Sequence, residues 1–193
     1  MTATVIGSRP AAKPNGWWGA AIFLAAESTL FGTLVGSYFY LRFNTRPWPP
    51  AGTPEPRVVA PVLLTIALLL AGGAVHAALR SARRGHRLLA LGTLAGATCV
   101  QVVYLVLQIA LISSDVDRYA PKTSAYASIY YTLAGASHAH VAVGVLLNVW
   151  LLARIASRLT RYRLVGLQVT TLYWDVVNVL TVAVLLTELS PRL

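Results

Sequence analysis

Glu27, His140 and Asp175 stand out first, because each is an ionisable side chain set deep inside an apolar stretch. A charged group in hydrocarbon costs about 2.5–3.5 kcal/mol or more, so such residues are where function is sought. Glu27 lies ten residues into the first apolar stretch, roughly 15 Å along a helix that rises 1.5 Å per residue. Asp175 lies eleven residues into the last stretch, and His140 falls near the middle of the fourth. Ser137 and His140 are an i,i+3 pair, as are Asp175 and Asn178, so each pair shares one helical face. The spacing predicts an intramembrane polar cluster of Glu27, Ser137, His140, Asp175 and Asn178. Such a cluster acts either as an acid–histidine network on a proton or ligand path, or as interhelical glue. Spacing alone favours glue.

The other histidines assemble no metal centre on this reading. His138 and His140 are two positions apart, about 200° around a helix, so they face opposite ways. His76 is placed near the inner end of the second apolar stretch, and His86 falls in a basic loop. The single cysteine, Cys99, lies in an apolar run, so the chain builds neither a disulfide framework nor a cysteine metal site. With no facing histidine pair for a haem and no three-histidine set for copper, no metal is expected in this chain.

The elements that must carry these residues are membrane helices. Of 193 residues, 56% are hydrophobic and only 11% charged, with mean hydropathy +0.64, whereas a soluble domain carries roughly a quarter charged residues. A water-soluble enzyme, a disordered chain and a disulfide scaffold are excluded. Apolar stretches of about 20 residues or more, enough to span about 30 Å of hydrocarbon, occur near Trp17–Leu41, Val58–Leu79, Arg87–Ile112, Ala127–Ala153 and Leu164–Thr187. The expected fold is all-α, a polytopic bundle of five transmembrane helices. A single domain over 17–188 stands between an N-terminal tail, 1–16, and a C-terminal tail, 189–193. The proline-rich Arg46–Pro61 must be an extended loop, and Ser113–Ser124 a second one. The N-terminal segment has no apolar core of its own and does not read as a cleavable signal peptide.

The net charge of +10 does not signal nucleic acid, because the arginines cluster at the ends of the spans. Ten Lys and Arg fall on the N-terminal side and six on the other. The positive-inside rule then puts the N-terminus in the cytoplasm and the C-terminus outside. Trp17, Trp18, Trp150 and Tyr162 read as anchors at the inner interface. Tyr38, Tyr40, Trp48, Tyr126, Tyr130 and Tyr131 read as anchors at the outer one. Ser28, Gly32 and Gly36 form a small-residue ladder, for which tight packing on a neighbouring helix is expected, and Gly92/Gly96 and His140/Gly144 repeat the theme.

Read in order, these features resemble the cytochrome c oxidase subunit 3 family, subunit III of haem-copper terminal oxidases. Trp18–Tyr40 is similar to the family's helix with a lone glutamate, and Trp48-Pro49-Pro50 to its tryptophan–proline–proline loop. His76 and Leu107-Gln108 fall where the family carries histidine and leucine–glutamine. Tyr126–Gly144 resembles the two-histidine signature that ends in glycine, and Tyr173-Trp174 opens the last helix motif. The likeness spans Trp17–Glu188 and corresponds to the shorter five-helix form. Three positions depart from the pattern: Ser137 replaces a signature histidine with His138 displaced by one, Asp175 replaces histidine, and Asn178 replaces aspartate.

The resemblance implies an accessory subunit without a redox centre. Haem and copper are expected in partner subunits. The chain would pack on subunit I, with subunit II in the same complex, and would hold phospholipids in a cleft that supports oxygen access and proton uptake. It implies a multi-pass protein of the bacterial inner or plasma membrane. A quinol oxidase or nitric oxide reductase component, or a small proton-coupled transporter, are the alternative readings.

Overall fold

The computed structural model describes residues 14–53 and 56–192. The tail before Pro14, with Arg9 and Lys13, lies outside the described residues, as do 54–55 and Leu193. Five helices follow one another: α1 (Asn15–Asn44), α2 (Val59–Arg83), α3 (Arg87–Val116), α4 (Ala125–Ser157) and α5 (Arg161–Leu189), with a short 3-10 turn over Ser190–Arg192. All five are long and apolar enough to cross a membrane, as the expected bundle requires.

Several helices overrun the apolar stretches by a turn or so. Inside hydrocarbon the backbone must satisfy its own hydrogen bonds, and nothing ends the ladder at the interface until a turn residue does. Between α2 and α3 that residue is Gly85, at φ +81. Its N–H donates to the Ala82 carbonyl at 3.1 Å and the next N–H, of His86, to the Ser81 carbonyl at 3.0 Å. This left-handed closure is the one that suits glycine. At the starts of α4 and α5, Ser124 Oγ accepts from the Ala127 N–H at 3.1 Å and Thr160 Oγ1 from the Arg163 N–H at 3.4 Å, which caps free N–H groups.

The helices α2, α3, α4 and α5 form a ring in which each packs on two neighbours. Outside that ring, α1 lies on α4 and α5 and packs on neither α2 nor α3. It buries only Leu24, Phe31 and Tyr38, seven residues apart on one narrow stripe. Two ends of the bundle differ in chemistry. The basic end holds the start of α1 and the α2–α3 and α4–α5 turns with their arginines. There Arg87 crosses to the end of α4, its Nε donating to the Ile155 carbonyl at 3.0 Å and its guanidinium also to Ala156, where α4's last carbonyls lack helical partners.

The aromatic end corrects one expectation. Tyr38 and Tyr126 are not interface anchors: they are 0% and 1% exposed. The loop after α1 folds back, so that Trp48 meets both rings edge-on, with centroids 5.5 and 5.2 Å away. Trp48 Nε1 also donates to the Tyr38 hydroxyl at 3.2 Å. A proline-rich loop that cannot continue the helix supplies the lid, and this removes both tyrosines from the surface. Tyr40, Trp18, Trp150 and Tyr162 are exposed, as anchors must be.

No described residue packs closely on the glycines of the α1 small-residue ladder. A Cβ built at Gly32 or Gly36 meets nothing within 4 Å, and the same is true at Gly92 and Gly96. Gly32 and Gly36 are exposed on α1, whereas Ser28 is half-buried and its Oγ donates to the Leu24 carbonyl at 2.8 Å. Close approach occurs elsewhere. At Gly144 a Cβ would lie 2.6 Å from the Trp174 ring, and at Gly72 it would lie 2.2 Å from Asn178 Nδ2.

Candidate functional site

The predicted cluster is divided by α5 into separate contacts. Glu27 of α1 meets His140 of α4, Oε2 to Nε2 at 3.0 Å. His140 Nδ1 lies 2.8 Å from the Ala136 carbonyl. A carbonyl oxygen only accepts, so Nδ1 carries a hydrogen. The Glu27–His140 contact therefore holds one proton, either on the imidazole as an ion pair or on the carboxyl as a neutral pair. Moving it along the bridge interconverts the two without rearranging heavy atoms. Phe31 packs edge-on to the imidazole at 5.0 Å, and both side chains are about four-fifths buried. The Tyr173 hydroxyl donates to the His140 backbone carbonyl at 2.7 Å and ties α5 to this turn of α4.

Asp175 does not join this bridge. Its Oδ1 lies 2.7 Å from Nε2 of His76 on α2. The reason is helical geometry: Tyr173 and Asp175 are two residues apart, about 200° around α5. With Tyr173 turned to α4, Asp175 turns to α2. Both side chains of the second bridge are well exposed, 40% for His76 and 49% for Asp175. Ser137 and Asn178 go elsewhere again. Ser137 Oγ lies 3.4 Å from Thr181 Oγ1, while buried Asn178 sits over Gly72.

A buried amide chain was missed by the sequence reading. Asn148 Nδ2 donates to Gln101 Oε1 at 2.7 Å, and Trp174 Nε1 donates to Asn148 Oδ1 at 3.1 Å. Gln101 and Asn148 are fully buried. The available signal was an amide in the middle of an apolar stretch, which draws less notice than a charge yet has the same need of a partner. Gln108, one of the family-signature positions, is buried two turns further along the same face of α3 as Gln101. Tyr173, Trp174 and Gly144 form the α4–α5 contact, and Trp48, Pro49 and Pro50 lie in the loop that covers the aromatic end.

At the basic end, the start of α1, the end of α4 and the start of α5 enclose a cleft of about 300 Å³. Leu147, Val165 and Val169 line it together with Trp150, Arg154, Tyr162 and Arg163. The Arg154 guanidinium lies 5.4 Å from the Trp150 ring centroid, within cation–π range. Among the described residues no group of three or more His, Cys, Asp or Glu is placed to hold a metal ion.

Comparison with known proteins matches the sequence to one family. The family model for cytochrome c oxidase subunit III matches residues 1–188. Cytochrome c oxidase subunit 3 of Bacillus sp. (strain PS3) is 30% identical over 173 residues, covering 86% of this chain and 80% of the relative. Quinol oxidase subunit 3 of Bacillus subtilis is 27% identical over 177 residues, covering 85% and 79%. A heme-copper oxidase subunit I+III of Aeropyrum pernix is 27% identical over 174 residues, covering 82% of this chain and 20% of that longer protein. With its five membrane-length helices and a family match across nearly its whole length, this chain belongs to the cytochrome c oxidase subunit III family of haem-copper oxidase subunits, multi-pass membrane proteins of the respiratory chain.

Proposed function

We propose that this chain is the accessory subunit III of a bacterial haem-copper terminal oxidase, most simply a cytochrome c oxidase. In this role it carries no redox centre; haem and copper reside in partner subunits. The chain seats on subunit I, holds structural phospholipid, and thereby supports oxygen access and proton uptake. The observation that carries this reading is the basic-end cleft. Its aliphatic lining suits acyl chains, and two guanidinium groups beside a tryptophan and a tyrosine suit an anionic headgroup at an interface. Oxygen, an apolar gas, partitions into acyl chains in preference to water, so held lipid is a physical route for it.

Seating on a partner is supported by α1. A helix of 30 residues that buries three side chains within its own chain leaves Thr29, Gly32, Thr33, Gly36 and Ser37 exposed. This smooth face allows close helix approach. The Aeropyrum relative, whose name joins subunits I and III in one chain, supports subunit I as that neighbour. The quinol oxidase relative, matched over the same share of the chain, supports a quinol-driven complex as the second reading. Orientation follows the arginine asymmetry, with the basic end in the cytoplasm of the plasma membrane.

Native mass spectrometry of the purified oxidase tests the reading. Phospholipid is expected to stay bound to this subunit in the unaltered complex and to be lost in Arg154→Ala/Arg163→Ala. The double variant is also expected to lose activity progressively during turnover. Unchanged lipid content in the double variant, or recovery of the chain as a self-sufficient oligomer without a haem-bearing partner, refutes it.

A further inference from the structure

The aromatic-end half of the α2–α5 ring encloses a small polar cavity that neither histidine–carboxylate bridge touches. Its volume is about 40 Å³, and one water needs about 10–15 Å³ of such space. The loop before α2 and the helices α3, α4 and α5 contribute titratable groups, while α2 lines it with Pro61 and Thr65. Arg57 comes from the loop before α2, Tyr104 and Asp115 from α3, Tyr130 and His138 from α4, and Glu188 from α5. The Arg57–Asp115 ion pair, 3.2 Å from Nη2 to Oδ1, lies in its wall.

Two atoms in this wall are buried without a hydrogen-bond partner among the described residues: Glu188 Oε1 and His138 Nε2. His138 is held in place from both sides. Its Nδ1 is engaged by the Ala134 carbonyl, and its ring stacks on Tyr104 at 6.0 Å with the planes 16° apart. Since that carbonyl only accepts, Nδ1 carries the hydrogen and Nε2 of the neutral ring offers a lone pair. Neither atom is hydrogen-bonded to the other, so each needs a partner that the cavity must supply. Buried polar groups are almost always paired, through water where protein does not reach.

We infer that this cavity is a water-binding site in which bound water bridges Glu188 and His138. The ligand is water itself: its hydrogens serve Glu188 Oε1 and His138 Nε2, and Gln108 and Tyr104 supply further polar neighbours. This distinguishes the pair from Glu27–His140, whose members touch directly and share their own proton.

X-ray hydroxyl-radical footprinting of the intact complex tests this, because radicals formed from a bound water label the side chains beside it. Tyr104, Phe31 and Trp174 are equally buried, at 2%, 2% and 1% exposed, but only Tyr104 lines the cavity. Tyr104 is expected to be labelled in the unaltered protein while Phe31 and Trp174 stay at background. Glu188→Leu is expected to bring the Tyr104 label down to the Phe31 level. Labelling of Tyr104 at the background of Phe31 and Trp174 in the unaltered protein overturns the inference, and that comparison decides the matter even if the variant does not fold.

Discussion

Replacing Gly144 by alanine adds one methyl group where Trp174 leaves no space. The new Cβ would lie 2.6, 2.9 and 3.0 Å from three atoms of the indole. Ordinary contact begins near 3.4 Å, so the ring must retreat by up to 0.8 Å. Trp174 is 1% exposed and packed on all sides. Its Nε1–Asn148 hydrogen bond is already 3.1 Å long, near the upper end of the usual range. Overpacking of this kind costs about 1–3 kcal/mol. If the indole moves off Asn148, a buried acceptor is left unpaired at a further cost of about 1–3 kcal/mol. The expected loss is thus about 1–3 kcal/mol if the indole keeps its hydrogen bond and about 2–6 kcal/mol if it does not, measured by equilibrium unfolding in mixed micelles. Two companions isolate the cause. Gly36→Ala, at a position with open space around it, should be neutral or stabilise the isolated chain by about 0.5–1 kcal/mol, because alanine is the better helix former. Trp174→Phe shortens the ring, so the Gly144→Ala/Trp174→Phe pair should cost less than the sum of the two single changes. Additive single costs, or a Gly144→Ala chain as stable as the parent, refutes the close-packing argument.

Glu27→Gln should leave subunit retention and initial oxygen reduction near normal, since an amide N–H can donate to His140 Nε2 across the same 3.0 Å contact. Glu27→Leu should leave that nitrogen unpartnered, cost about 1–3 kcal/mol and loosen the subunit from the complex. If Gln abolished turnover at once with the subunit still bound, Glu27 would be an obligatory proton carrier. For orientation, reporter fusions at Ser113 and at the C-terminus should read as periplasmic; a cytoplasmic signal from the C-terminal fusion contradicts the proposed topology.

The membrane helices were legible from the sequence because hydropathy is a local property and the bilayer accepts few alternatives. A run of about 20 apolar residues between arginines has only the helix open to it. The family was legible for a related reason: Trp48-Pro49-Pro50, the Tyr126–Gly144 signature and Tyr173-Trp174 keep their order along the chain. Depth along each helix was legible too, and this is why Glu27 and His140 were placed at a common level. Rotation and neighbour identity were not. Whether Asp175 faces His140 or His76 depends on which side of α5 the ring places α4 and α2, and side chains two residues apart diverge by about 200°. The buried tyrosines of the aromatic end were hidden similarly. Tyr38 and Tyr126 have the composition of interface anchors, and only the return of Trp48 across the bundle end buries them. The glycines make the same point. Gly32, Gly36 and Gly144 are alike in sequence, but a glycine is required only where another helix supplies a side chain against it, and Trp174 does so at Gly144 alone of the three. Apolar spacing determines that helices form and cross the membrane, whereas contacts between distant segments determine which polar groups find each other.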